Sequence, residues 1–248
     1  MKLLKKLYSI YSPSKGEKKM KRFIKRWIRT NIEGAKIHAE NRNLYITKGV
    51  SDTYPCVAAH LDQVQKIHSD DFTTVETEDI ILGYSPSNRQ QEGLGADDKN
   101  GIWIALKCLQ KYDVIKVALF YGKGIGWMGA NRADINFFDD VRFIIEPDRR
   151  GYKDLITTIG NSDLCSDAFV EATECEKYGY SPTEGLMTDV EVLRERGVTA
   201  CCVNVSCGYY EPHTDVEFTV KKDLFNCLKF VKHIIENVTE RMEYEDVH

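Results

Sequence analysis

The stretch Gly93-Leu94-Gly95-Ala96-Asp97-Asp98-Lys99-Asn100-Gly101 sets two adjacent carboxylates between a glycine-rich turn and the apolar run Ile102 to Leu109. At such a helix start one side chain can point into a cleft while its neighbour caps or braces the turn. A site of this kind needs partners. His60-Leu61-Asp62 follows a hydrophobic run, Glu146-Pro147-Asp148 ends another, and His213 lies in Gly208-Tyr209-Tyr210-Glu211-Pro212-His213-Thr214. Two imidazoles and several carboxylates at the ends of predicted strands form a donor set for Zn²⁺ or a similar cation. Residues two apart on a strand share a face, so Asp62 is placed to hold the second ring nitrogen of His60 and fix its tautomer.

An isolated histidine is more often structural than a ligand. The metal reading therefore rests on His60, Asp97, Asp148 and His213 together, with Asp62 in support. The other histidines lack such company: His38 sits in a polar strand region, His68 in a turn-rich stretch, His233 on the exposed side of the last helix and His248 in the tail.

These residues need elements to carry them. A short helix over residues 2–10 stops at Ser12-Pro13-Ser14, because the residue before proline is pushed out of helical geometry. Met20, Phe23, Ile24, Trp27 and Ile28 then recur at helical spacing from Glu17 to about Thr30, with Lys and Arg on the other side. Strands are predicted at Ala35–His38, Leu44–Thr47 and Pro55–His60, the last nearly all apolar and so central. Residues 63–92 read as a polar excursion with one strand at 80–84, building part of a cleft wall. A helix over 98–111, a strand from Val114 to Tyr121, a glycine-rich turn at 122–126 with a helix to about Ala133, and a strand from Val141 to Pro147 follow. Helices at 162–177 and 188–196, a buried strand at 198–205 and a final helix from Lys222 to about Arg241 complete the chain, with Glu243 to His248 frayed. Strands alternating with helices argue for an α/β protein, a three-layer sandwich whose mixed, mainly parallel central sheet is covered by helices on both faces. In such sheets ligands collect at the carboxyl ends of strands, where His60, Asp148 and His213 fall.

A chain of 248 residues with 42% hydrophobic content can bury a full core as one domain, residues 1–248. A net charge of -4 gives no general attraction to nucleic acid or membrane, and the basic stretch before residue 30 reads as a solvated helix face. Eight cysteines without C-x-x-C spacing, most of them in apolar runs, suit a reducing cytoplasm. The N-terminus lacks a signal peptide's apolar block, and no stretch reaches the length of a membrane span.

Taken in order, Ser12-Pro13-Ser14 with Gly16-Glu17, Asn43-Leu44-Tyr45, Ala58-Ala59-His60-Leu61-Asp62, the Gly93 to Gly101 block, Glu146-Pro147-Asp148-Arg149 and His213-Thr214 resemble the co-catalytic zinc exopeptidases. The likeness runs from the first helix to the last and points to the single-domain aminopeptidase branch. It implies a phosphorylase/hydrolase-like α/β fold, a peptide or small amide substrate and Zn²⁺ as cofactor. It also implies that His60 and Asp148 bind one metal, that Asp97 bridges to a second held by His213, that Asp62 orients His60, and that the Asp97–Asp98 peptide is cis.

The pattern then breaks. After the strand ending at Tyr121 the family has two consecutive glutamates, a general base and a ligand of the second metal, whereas this chain reads Gly122-Lys123-Gly124-Ile125-Gly126. An ammonium cannot take a proton from the attacking water unless its pKa falls by several units. Glycine offers no side-chain oxygen. The resemblance thus leaves one metal site complete and the second doubtful, with two readings open: a zinc aminopeptidase-like protein of weak or altered activity, or a non-catalytic descendant that binds a peptide or protein partner. Glu146 and Glu211 are the carboxylates left to act as base, and Lys123 is a candidate to replace the second metal's charge by pairing with Asp97. A dinucleotide site through Gly124, Gly126 and Gly129 fits G-x-G-x-x-G, although Trp127 and Met128 are bulky for a phosphate turn. No G-x-S-x-G is present to support a serine hydrolase.

Overall fold

A computed structural model describes residues 1–244, so His248 lies outside the described residues. In chain order its elements are α1 (Lys2–Tyr8), α2 (Lys18–Asn31), β1 (Ala35–Glu40), β2 (Asn43–Lys48), β3 (Tyr54–His60), β4 (Thr73–Glu76), β5 (Ile80–Ser85), β6 (Gln90–Glu92), α3 (Ala96–Lys111) and β7 (Ile115–Phe120). They continue with β8 (Val141–Arg149), β9 (Asp154–Ile159), β10 (Ser162–Asp163), α4 (Asp167–Thr173), β11 (Ser181–Glu184), α5 (Asp189–Glu195), β12 (Cys201–Ser206), β13 (Tyr209–Tyr210), β14 (Phe218–Val220) and α6 (Lys221–Asn237).

The larger sheet runs β1-β2-β7-β3-β8-β12-β9-β10, with β11 also on β9. Its centre, β7-β3-β8-β12, is parallel, and antiparallel strands flank it on both sides. Alternation along the central strands explains the three layers. Val57, Ala59, Val117, Leu119, Phe143, Ile145 and Val203 face a core shared with α1, α2, α3 and α6, whereas Cys56, Ala58, Ala118, Phe120, Ile144 and Cys202 face a second core with Val190 and Leu193 of α5. Both faces being covered, the central strands are buried along nearly their whole length rather than at alternate residues.

The excursion 63–92 differs from a loop. Its β4, β5 and β6 join β13 and β14 in a separate five-stranded sheet, and of these residues only Val64 lines the cleft described below. Two predicted helices are not continuous. Residues 123–125 and 130–132 form only 3₁₀ turns, because Gly122 (φ 65) and Gly126 (φ 95) leave helical geometry. Over 162–177 the helix is limited to α4: the Ser166 hydroxyl caps it by accepting from Phe169 N at 3.3 Å, and Glu174 (φ 48) ends it in the left-handed region. The last helix stops at Asn237, short of Arg241. Glu243 and Tyr244 are not frayed, since Glu243 bridges to Ala200 and Tyr244 N donates to Thr199 O at 3.3 Å. His233 is not solvated either; its ring packs 5.0 Å from that of Tyr178 and its Nε2 lies 3.0 Å from Glu174. All eight cysteines are buried and among the described residues none is in a disulfide, nor is any helix long and apolar enough to cross a membrane.

Helix α3 enters the core so closely that Gly101 has no room for a side chain: a Cβ there overlaps the Asp98 carboxylate and lies 2.6 Å from Pro147 O. Gly101→Ala gains about 1 kcal/mol of helix propensity but loses about 2–3 kcal/mol to overpacking. A net drop in the urea midpoint at unchanged m-value is the expected result.

Candidate functional site

Parallel strands that end together present their next residues to one cleft. His60 closes β3 and pairs in register with Phe120 of β7, Asp148 lies near the end of β8, and Asp97 opens α3. The left-handed Gly95 (φ 64) turns the chain into α3, the Asp97–Asp98 peptide is cis, and the two carboxylates point apart. Asp98 turns inward, accepting from His60 N at 3.1 Å and Gly101 N at 2.9 Å, and so braces strand to helix. Asp97 turns to the cleft, where Oδ1 lies 2.7 Å from His60 Nε2 and Oδ2 lies 2.9 Å from His213 Nε2. One carboxylate thus joins two imidazoles that are far apart in sequence.

Asp148 Oδ1 is 3.5 Å from the same His60 nitrogen, while Asp62 Oδ1 approaches the other ring nitrogen, Nδ1, at 3.4 Å. Asp62 is itself held: it accepts from Lys123 N at 3.0 Å, Gly124 N at 3.1 Å and the Ser14 hydroxyl at 2.5 Å. Burial opposes its ionisation, but the His60 contact and these donors leave its pKa well below the usual carboxylate range. Burial and the Lys123 charge pull the His60 imidazolium down, yet Asp62 and Asp97 prevail and raise its pKa to about 10. A metal would therefore have to displace a proton from this ring.

The donor chemistry suits a divalent cation. A nitrogen or oxygen from each of His60, Asp98 and Asp148 lies within 4.8 Å of the others, and the fully buried Asp148 leaves Oδ1 without a hydrogen bond. Buried carboxylate oxygens in that condition call for a cation. Because both Asp98 oxygens already accept backbone N–H groups, Asp97 is the better placed of the two aspartates to face one.

Lys123 is not turned to solvent, and its partner differs from the one expected. Its ammonium pairs with Asp148, not Asp97. Burial lowers its pKa, but the negative field of Glu146 and Asp97 outweighs that and raises it, so Lys123 is a cation with no free lone pair. Nor can the two spare glutamates supply a base. Glu146 is fully buried, accepting from the Thr188 hydroxyl and Val190 N, and Glu211 does not line the cleft. The dinucleotide reading fails here as well: the amides of Lys123 and Gly124, which a phosphate would need, already serve the anionic Asp62.

Several supporting residues escape notice in the sequence. Buried Glu217 accepts from Ala96 N at 2.9 Å and Asp97 N at 3.3 Å, fixing the turn before α3; burial, then Asp97, raises its pKa to about 7. Lys99 donates to Gln63 Oε1 at 2.6 Å and Leu94 O at 2.9 Å from a fully buried position, which lowers its pKa to about 7. The cleft, about 770 Å³, adds Trp127, Leu186, Met187 and Tyr209 as apolar wall with Arg149 and Arg150 beside them.

No protein-family model matches this sequence, and no curated protein matches it. Solved structures do share the fold. An aminopeptidase PepT from Bacillus cereus superposes with a TM-score of 0.77 at 14% identity, covering 96% of this chain and 97% of that one. A tripeptidase from Staphylococcus aureus gives 0.77 at 14%, covering 95% and 96%. An aminopeptidase from the archaeon Desulfurococcus kamchatkensis gives 0.70 at 17%, covering 95% and 94%. The α/β architecture is thus that of solved aminopeptidases.

Asp62 ties the His60 ring to the 122–126 turn, so Asp62→Asn should weaken any divalent-metal binding at this cleft about 10- to 100-fold, as loss of an orienting carboxylate does. Titration against a chromophoric chelator measures this, and unchanged affinity would show that the contact orients nothing.

Proposed function

We propose that residues 1–248 act as one domain, an aminopeptidase-like protein that binds the end of a peptide or a small amide and holds one zinc ion on His60, Asp97 and Asp148, with His213 beside them on the far oxygen of Asp97. The observation that carries this reading is the convergence of those four side chains, from four separate segments, on a cleft with apolar walls. Bound there, a divalent cation supplies Lewis acidity to a substrate carbonyl. The chain's own residues provide the rest: Asp62 holds the His60 ring, Asp97 spans the two histidines, and Trp127, Leu186 and Met187 offer contact to substrate side chains. Arg150, exposed at the cleft, can meet a substrate carboxylate. Buried cysteines outside any disulfide agree with a reducing compartment, the cytoplasm.

Hydrolysis is slow in this reading because Lys123 presents an ammonium where a proton acceptor is needed. A positioned base contributes about 10²–10⁴-fold to rate. Lys123→Glu alone is the fitting restoration, since a Cβ at Gly124 would lie 2.9 Å from both Ser14 Oγ and Val64 Cγ1. With amino-acid amides and zinc present, Lys123→Glu should raise turnover at least about 100-fold over a barely measurable native rate, and His60→Ala in that background should abolish the gain. Native turnover on the order of 10 s⁻¹, typical of enzymes, would refute the assignment of Lys123 as an impediment.

A further inference from the structure

We propose that the Lys123 ammonium and a divalent cation compete for the Asp148 carboxylate, so that the site holds either its own tethered cation or a metal, and never two metals. This rests on the proposed cation-holding cleft and adds how occupancy is controlled. Three features support it. The backbone at Lys123 is pinned by the Asp62 carboxylate, the same group that reaches His60 Nδ1, so the lysine is anchored to the orienting shell of the site. From there the side chain runs inward to Asp148, leaving only 17% of itself exposed although its length would let it reach water.

The second feature is the surplus of acid beneath it. Glu146 and Asp189 are buried against each other, and burial followed by the Glu146 charge raises the Asp189 pKa to about 8; Glu146, Asp97, Asp189 and Asp98 all contribute to the field at Lys123. Removing every cation would leave these acids either repelling one another in a medium of low dielectric or taking up protons. Lys123 meets that need without a metal. The third feature is the poverty of a second site: Gly124 brings no donor, and His213 is 61% exposed with Asp97 as its carboxylate contact.

A divalent ion on Asp148 and an ammonium on the same carboxylate are like charges at contact distance, so one excludes the other. Lys123 has somewhere to go, because its side chain lines the open cleft and already reaches its solvent-accessible part. Metal uptake therefore means swinging Lys123 out of the cleft, and metal loss lets it return.

The test compares zinc binding by the full chain, Lys123→Met and Lys123→Arg, using competition with a chromophoric chelator. Lys123→Met should bind one zinc about 10- to 100-fold more tightly than the native protein, the size of effect expected for neighbours of a metal ligand. Lys123→Arg, which keeps the charge, should remain weak. Should Lys123→Met fold only with zinc, the native protein decides alone: reductive methylation followed by mass spectrometry should find Lys123 protected in EDTA and labelled once zinc is added. Equal zinc affinity in all three proteins, equal labelling with and without zinc, or two tightly bound zinc ions in the native chain would overturn the competition while leaving a cation-holding cleft in place. Zinc binding by none of the three would overturn both.

Discussion

Buried negative charge at the carboxyl edge of the parallel sheet is the condition that the rest of this molecule answers to. Asp62, Asp97, Asp98 and Asp148 lie in or beside one cleft, with Glu146, Asp189 and Glu217 close behind, and all but the half-buried Asp97 are buried. Carboxylates gathered this way are unstable unless hydrogen-bond donors or cations compensate them. Three kinds of compensation are visible. Backbone amides satisfy Asp98, Glu217 and Asp62; imidazoles satisfy Asp97; and the Lys123 ammonium satisfies Asp148.

That view links architecture to chemistry. The parallel strands β7, β3 and β8 end in step, so Lys123, His60 and Asp148 reach the same edge from three places in the chain. The tight entry of α3, enforced by Gly101 against Pro147 and by Asp98 against β3, sets the position of Asp97 relative to His60. Packing of the covered sheet thus becomes a requirement for the site, and a methyl group placed deep in α3 is felt at the cleft.

Much of this was legible in the sequence because the chemistry-bearing residues punctuate long apolar runs. His60, Asp97, Asp148 and His213 could be picked out as strand-end or helix-start residues, and Asp62 by its two-residue offset from His60. What could not be read has physical reasons. The strands β4, β6, β11, β13 and β14 are two to four residues long, too short for alternation to show, and the joining of β14 to β5 depends on a partner far along the chain. The helix expected over 162–177 is interrupted by a capping hydroxyl at Ser166 and a left-handed Glu174, features that apolar spacing does not report. Lys99 and Glu217 carry charges that are solvated in most proteins, so their burial as braces follows only from the tertiary structure. The lysine at 123 was visible as a departure from the exopeptidase pattern, yet its partner was not: the geometry selects Asp148 over Asp97.

The central claim is that a single cation position at Asp148 can be filled either by the chain itself or by a metal. Diffraction from crystals soaked in zinc, recorded at the zinc absorption edge, tests it most directly. One anomalous peak in contact with His60 and Asp148, with the Lys123 side chain withdrawn toward the mouth of the cleft, is the predicted result. A peak with Lys123 still seated on Asp148, or a pair of peaks spanning His60 and His213, would contradict it.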